Sequence, residues 1–404
     1  MNLWIETGNL ARAEALFGVP PLERLRRSVG RLAREDTVTL SGPDAGRHEW
    51  PGARVDADAA PLGERLRRAL AGASGPVVAL DAAHLTDPRL IRFLASSRPC
   101  VASRGEGARR ATALALEPAL AEAIPPEART LGEVAESLLA AGRLAPLEES
   151  AFPAYIDKLR RSIPWWQYVV DDAPTRRALE RRLFWDNYKG STDLLTRWVY
   201  PPLVWPLVRF CTAFGIPPNA LTIVSVVLAF AAVPLWADGR WLAGFVCAYA
   251  MSVLDSVDGK VARLTLTDSK IGNILDHGLD QVHPPFWYFA WAWGLGARSA
   301  ADPLYMAAVW LVVFYVADRV VLGVAKRRIG FALHAASRLD TVARAVIARR
   351  NITMTIMAIA LVFGAGGAGL LVVTAWQGLT FAWHAIRTAW LGFLAPRPAR
   401  PKVQ

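Results

Sequence analysis

A chain of 404 residues has room for two domains, and its 53% hydrophobic content is unevenly spread, with every long uncharged run lying beyond about residue 200. Lys and Arg outnumber Asp and Glu by 46 to 35, giving a net charge of +11, and many of these charges flank apolar segments. That placement points to a membrane surface or a phosphate-bearing substrate, and without a periodic basic–aromatic stripe it excludes nucleic acid as the partner.

The N-terminus, MNLWIETGNL, has neither a basic n-region nor an apolar h-region. No cleaved signal peptide is expected, and the N-terminal part is expected in the cytoplasm. Residues 1–135 read as a soluble α/β domain with a Rossmann-like sheet. A Pro-Pro turn precedes an amphipathic helix within 16–32, and TVTL at 37–40 reads as a strand. GPVVAL at 75–80 has the continuous apolar character of a buried parallel strand, and Asp81 follows at its carboxyl end, where open α/β sheets bind ligands. Asp87-Pro88 then opens a helix. Residues 136–196 read as linker helices broken by Pro153, Pro164 and Pro174, with Arg181, Arg182 and Lys189 leading towards the bilayer. The three cysteines, Cys100, Cys211 and Cys247, are too widely spaced for a disulfide framework or a zinc site.

Residues 197–395 read as an all-α membrane domain. The stretch 196–214 is apolar but interrupted by Pro201, Pro202, Pro206 and Arg209, which suits a helix lying in the interface. Six spans of about 20 apolar residues fit the remainder, at 219–237, 240–262, 271–297, 303–324, 351–366 and 368–393. The glycine-rich run 364–369 reads as the turn between the last two. With the N-terminus inside, the outer loops carry only Arg240 and Arg298, whereas the inner loop 325–350 carries Lys326, Arg327, Arg328, Arg338, Arg344, Arg349 and Arg350. This asymmetry predicts that the N-terminus, the 396–404 tail and the active face are cytoplasmic. Most of the 325–350 charges read as positive-inside charge; Arg349 and Arg350, beside the fifth span, are the acceptor-site candidates.

The chemistry concentrates in LDSVDGKVARLTLTDSKIGNILDHGLD at 254–280. Helical spacing puts Asp255 and Asp258 on one face of the second span. It puts Gly272, Asp276 and Asp280 on one face of the third. Carboxylates at the end of a span are costly unless neutralised, and hard divalent cations with oxygen ligands are the natural partner. Mg²⁺ in particular takes a few carboxylates together with substrate phosphates. Gly259 and Ala262 remove bulk where a base and diphosphate would approach, and Arg263 can neutralise phosphate charge. His277 and His283 read as packing residues. A transporter or membrane scaffold that binds a coupling ion is the alternative from another class. It predicts acids at the bilayer midplane and an internal repeat, whereas these acids gather at one face and no repeat is visible.

The pattern D-x-x-D-G-x-x-A-R, eight residues, then G-x-x-x-D-x-x-x-D resembles the signature of the CDP-alcohol phosphotransferases, matched here by Asp255, Asp258, Gly259, Ala262, Arg263, Gly272, Asp276 and Asp280. The resemblance extends over about 190–395 and includes Pro218, Asn219 and Thr222 at the first span. It implies a pair of Mg²⁺ or Mn²⁺ ions held by Asp255, Asp258 and Asp276, with Asp280 completing the site or acting as general base. It also implies contacts to the CDP moiety from Gly259, Ala262 and Arg263, with Gly272, Asn219 and Thr222 as further nucleotide-site candidates. The implied reaction passes a phospho-linked group from a CDP-activated donor to an alcohol, releasing CMP, in phospholipid or sphingophospholipid head-group synthesis. Either CDP-diacylglycerol donates to a polar alcohol such as inositol phosphate or glycerol phosphate, or a CDP-linked head group is passed to a lipid alcohol. The same resemblance implies a homodimer; the expected location is a bacterial-type inner membrane. Further upstream, FGVPPLERLRR and VVALDAAHLTDPRL resemble sugar- and polyol-phosphate nucleotidyltransferases, a likeness that tilts the choice towards the CDP-linked head group. IETGN at 5–9, however, has one glycine and no nearby basic pair in place of their phosphate loop. This part therefore reads as a degenerate domain, with Asp81 its one remaining candidate metal ligand.

Overall fold

Side chains alternating between two apolar clusters organise the N-terminal half. In β1 (Asn2–Glu6), Leu3 and Ile5 enter one apolar cluster while Trp4 enters another, and in β4 (Val77–Asp81) Val78 and Leu80 oppose Val77 and Ala79 in the same way. A period of two with both faces apolar demands cover on both sides. The computed structural model describes residues 2–30, 38–268 and 270–395, without the side chains of Arg12, Ala108, 270–277, Leu279 and Asp280. It divides into two compact units, Met1–Ala154 with Ile163–Asp186, and Tyr155–Ser162 with Asn187–Gln404.

The first unit holds a seven-stranded sheet. Besides β1 and β4 it contains β2 (Val38–Ser41), β3 (Arg54–Asp56), β6 (Cys100–Arg104), β7 (Ala111–Leu116) and β8 (Ala145–Pro146), in the order β3-β2-β1-β4-β7-β6-β8. β1 runs parallel to β2 and β4, and only β7 opposes its neighbours. The order reverses between β1 and β4, which is where such a sheet opens a crevice at its carboxyl edge. Helices α1 (Pro21–Val29), α2 (Leu62–Ala71), α3 (Pro88–Ala95), α4 (Leu131–Ala140) and α5 (Ala173–Asp186) complete the unit, with β5 (His84–Thr86) pairing antiparallel with β11 (Gln167–Val169). α3 starts as its sequence dictates: the Asp87 carboxylate accepts the Arg89 N–H and Pro88 occupies the first turn.

The second unit begins with a hairpin, β9 (Tyr155–Ile156) and β10 (Arg161–Ser162). It resumes at 187 and then turns helical: α6 (Pro201–Ala213), α7 (Pro218–Ala237), α8 (Trp241–Leu264), α9 (Lys270–Gly294), α10 (Pro303–Ile329), α11 (Arg338–Val346), α12 (Arg350–Val362) and α13 (Gly366–Ala389). Among the described residues five segments are long and apolar enough to cross a membrane: Pro218–Ala237, Trp241–Leu264, Pro303–Ile329, Arg338–Val362 and Gly366–Leu394. The fourth runs from α11 through α12 and so starts earlier than the span expected at 351–366. Side chains such as Ile223, Val227, Val320, Val362 and Leu379 are exposed on them, as lipid-facing residues must be. The protein is an integral membrane protein. The turn between α12 and α13 falls in the glycine-rich run, where Gly364 takes φ +68°. The C-terminal half of α9 is firmly in the bundle. Trp287 and Trp291 are fully buried edge-on against Trp236 of α7, and the Trp287 indole donates to the Ala229 carbonyl at 2.7 Å. α6 is not among the five apolar segments, and Leu203 and Phe210 on it are exposed.

Candidate functional site

The helical spacing of α8 sets Asp255 and Asp258 one turn apart, and their surroundings differ. Asp258 is buried against α7, where the Thr222 hydroxyl donates to its carboxylate at 2.6 Å. Asp255 faces a cavity, and its carboxylate accepts the Arg350 guanidinium at 2.8 Å. Gly259 and Arg263 line the same cavity. At Gly259 a Cβ would lie 3.1 Å from the Arg263 guanidinium, so the missing side chain lets that group fold back along its own helix. Asn187 fixes the other side of Arg263 by accepting its Nε–H at 3.0 Å. Ala262 is half-buried beside them, and Asn219 is exposed at the start of α7. The side chains of Gly272, Asp276, His277 and Asp280 lie outside the described residues, although α9 carries all four positions. His283, further along α9, packs its ring on Trp287.

The cavity encloses about 310 Å³, and all of its lining residues belong to the second unit. Among the described lining residues eight are Lys or Arg and two are Asp, so the walls they form are strongly cationic. Arg349 and Arg350 both line it, yet they face different partners. Arg350 reaches Asp255, whereas Arg349 lies 3.2 Å from Asp193. Asp193 was not evident from the sequence. It caps the turn that leads into α6 by accepting the Thr196 N–H at 3.0 Å, and it accepts the Asn351 amide at 3.1 Å. The Tyr200 hydroxyl donates in turn to Asn351. Burial alone would raise the Asp193 carboxyl, but the Arg349 guanidinium, the Thr196 N–H and the Asn351 amide outweigh it and hold it below its ordinary value. The one local signal for Asp193 is an acid three residues ahead of Thr196 before a helical run, the spacing of an N-cap.

Lys189 and Arg344, read from the sequence as membrane-flanking charge, also line this cavity. Lys189 is accessible through it. Desolvation among its walls and the crowd of Arg160, Arg263, Arg349 and Arg344 nevertheless lower its pKa to about 8. Arg160, from the hairpin, is lowered to about 10 by burial and by Arg349.

In the first unit Asp81 stands at the carboxyl end of β4, buried, accepting from Asn9 at 3.1 Å and from the Ala83 N–H at 2.8 Å. Beside it the Glu6 carboxylate is taken up by Arg65 at 2.7 Å and by the Gly8 N–H at 2.8 Å. The loop after β1 thus closes on its own side chains.

Residues 216–390 match the family model of CDP-alcohol phosphatidyltransferase. Over 168 residues the chain is 29% identical to a cholinephosphotransferase of Gallus gallus, covering 38% of this chain and 48% of the relative. It is 36% identical over 84 residues to an archaetidylinositol phosphate synthase of Aeropyrum pernix, covering 20% and 43% of the two chains. The matches therefore span about half the length of these curated relatives. A solved phosphatidylinositol phosphate synthase of Mycobacterium tuberculosis with CDP-DAG bound aligns at 18% identity with a TM-score of 0.38, over 47% of this chain and 94% of that one. Residues 216–390 thus carry a CDP-alcohol phosphatidyltransferase domain.

Proposed function

We propose that this protein transfers a phospho-linked group from a CDP-activated donor to an alcohol, with release of CMP, and that one of the two partners is a membrane lipid. The observation that carries this reading is Asp255 at the edge of a cation-lined cavity, with Asp258 one turn along and Arg263 held beside both. The oxygen donors of Asp255 and Asp258, joined by Asp276 and Asp280 from α9, suit Mg²⁺ or Mn²⁺ and no softer metal. A bound pair of such ions supplies neutralisation of the donor diphosphate and stabilisation of CMP as it departs. Thr222 orients Asp258, and Arg263, fixed by Asn187, meets the phosphate charge. Asp280 takes the proton of the acceptor hydroxyl; the acceptor oxygen bonds to the phosphorus distal to cytidine, and the bond from that phosphorus to the CMP oxygen breaks.

In this reading the membrane part spans six times, with α9 as the third crossing, and the active face is cytoplasmic. The family resemblance adds a homodimer. The first unit acts as a structural partner that makes no nucleotide: Glu6, beside Asp81, is already committed to Arg65.

The test is CMP release from the full chain in detergent with Mg²⁺ or Mn²⁺. CDP-diacylglycerol is paired with polar alcohols and CDP-linked head groups with diacylglycerol. Metal-dependent release that disappears in Asp255→Asn and Asp280→Asn supports the reading. Folded protein that neither binds CDP nor releases CMP with any pair refutes it and brings the ion-binding alternative forward.

A further inference from the structure

We infer that Tyr315 is a positioning residue for the metal site. It bridges a break in α9, holding the half that carries positions 276 and 280 against the half anchored in the bundle. The inference rests on the transfer reaction proposed above and adds to it a residue outside the motif.

The break is written in the sequence. In a helix a carbonyl accepts from the N–H four residues on, or three residues on in a tighter turn. Pro284 and Pro285 both lie inside α9 and neither has an N–H, so the Gln281 carbonyl finds no donor at i+3 or at i+4. The Asp280 carbonyl loses its i+4 donor as well. Two consecutive rungs are thus missing just where the acid-bearing turns end. The ladder of α9 cannot by itself fix how those turns are set on the remainder of the helix. In a membrane bundle, carbonyls freed in this way draw donors from neighbouring helices.

Tyr315 of α10 supplies such a donor: its hydroxyl donates to the Gln281 carbonyl at 3.2 Å. The same ring lies edge-on to Tyr288, with centroids 6.0 Å apart. Tyr288 belongs to the anchored half, where it is buried between Trp287 and Trp291, the two indoles packed on Trp236. One side chain therefore touches both sides of the break.

Tyr315 is itself held firmly. It is 8% exposed, and the Arg319 guanidinium lies 5.0 Å over its ring. Arg319 is 3.3 Å from Asp318, whose other oxygen meets the buried His384 ring of α13. Gln281, Pro284, Tyr315 and Arg319 all line the cavity that Asp255 faces. The brace thus ends at the reaction site, which a donor serving stability alone would have no need to do.

The experiment uses the full chain in detergent. Mn²⁺ binding is titrated by electron paramagnetic resonance. CMP release is measured with CDP-diacylglycerol and polar alcohols, and with CDP-linked head groups and diacylglycerol. Tyr315→Phe keeps the ring and removes only the donor. Mn²⁺ affinity and kcat should each fall by about tenfold, the scale of a lost outer partner at a metal site, with the melting temperature lower by about 5 °C or less. Pro285→Ala restores the i+4 N–H, so in that background Tyr315→Phe should cost about twofold or less in both. Unchanged Mn²⁺ affinity in Tyr315→Phe overturns the inference, whatever happens to stability. A loss of the same size with and without Pro285 also overturns it, because the hydroxyl then acts on a ligand directly and not through Gln281. Wild-type protein that binds no Mn²⁺ and releases no CMP overturns the transfer reading itself, and the inference with it.

Discussion

Replacing Asp193 with alanine removes one carboxylate from four donors: the Thr196 N–H and hydroxyl, the Asn351 amide and the Arg349 guanidinium. Its side chain is 3% exposed and that of Arg349 is 34% exposed, so the ion pair is only half desolvated and falls short of the roughly 3–5 kcal/mol lost when a fully buried pair is broken. Loss of the cap costs about 1 kcal/mol and the stranded Asn351 amide about 1–2 kcal/mol more. A total of roughly 3–4 kcal/mol is expected, or about 6–16 °C in the melting temperature for a unit of this size. Asp193→Asn keeps the shape and part of the hydrogen bonding, so it should lose roughly half as much. A thiol-reactive dye reports melting of the detergent-solubilised chain through Cys211 and Cys247. pH supplies the sign. The folded carboxyl is held below its ordinary value of 3.8, so its stabilisation is present above that value and is lost as pH falls through the folded pKa. The gap between wild type and Asp193→Asn should thus be full at pH 7 and close under acid. A melting temperature of Asp193→Ala within 2 °C of wild type at pH 7, roughly a kcal/mol or less, would refute the reasoning.

Thr222→Val removes the hydroxyl that orients Asp258 while keeping its shape. The Mg²⁺ concentration for half-maximal CMP release should rise by about 10–100-fold, and an unchanged requirement would separate Thr222 from the metal site. The pKa of Lys189, lowered to about 8, makes the ligand-free protein gain stability between about pH 8 and 10.5, where the unfolded chain holds the proton and the folded one does not. Its melting temperature should rise across that window, and Lys189→Arg should remove the step. In the first unit Arg65 and Glu6 are both about 95% buried, and Arg65 also donates to Ser41 at 2.7 Å. Arg65→Ala should destabilise that unit by about 3–5 kcal/mol, read by hydrogen exchange in β1, and native-like protection there would count against the network.

What could be read along the chain is whatever is written at a fixed local period. β4 falls at 77–81 because five consecutive residues are buried, and α3 starts at Pro88 because Asp87 caps it. Asp255, Gly259 and Arg263 meet at the cavity because i, i+4 and i+8 share a helix face. The partners that give these residues their roles have no such period. Asn187 meets Arg263 across 76 positions, Arg349 meets Asp193 across 156, and Arg160 arrives from a hairpin with no motif of its own. Charge was the most misleading signal, since a basic residue beside an apolar run reads the same whether it faces lipid head groups or a cavity. Arg344 follows the positive-inside pattern of 325–350, yet it is buried with a donor unmet, and only burial separates it from its neighbours. The motif therefore fixes the chemistry that can be performed, because metal and diphosphate need their ligands at helical spacing. The described residues that line the cavity around that motif are gathered from 160 to 351, where no local period marks them.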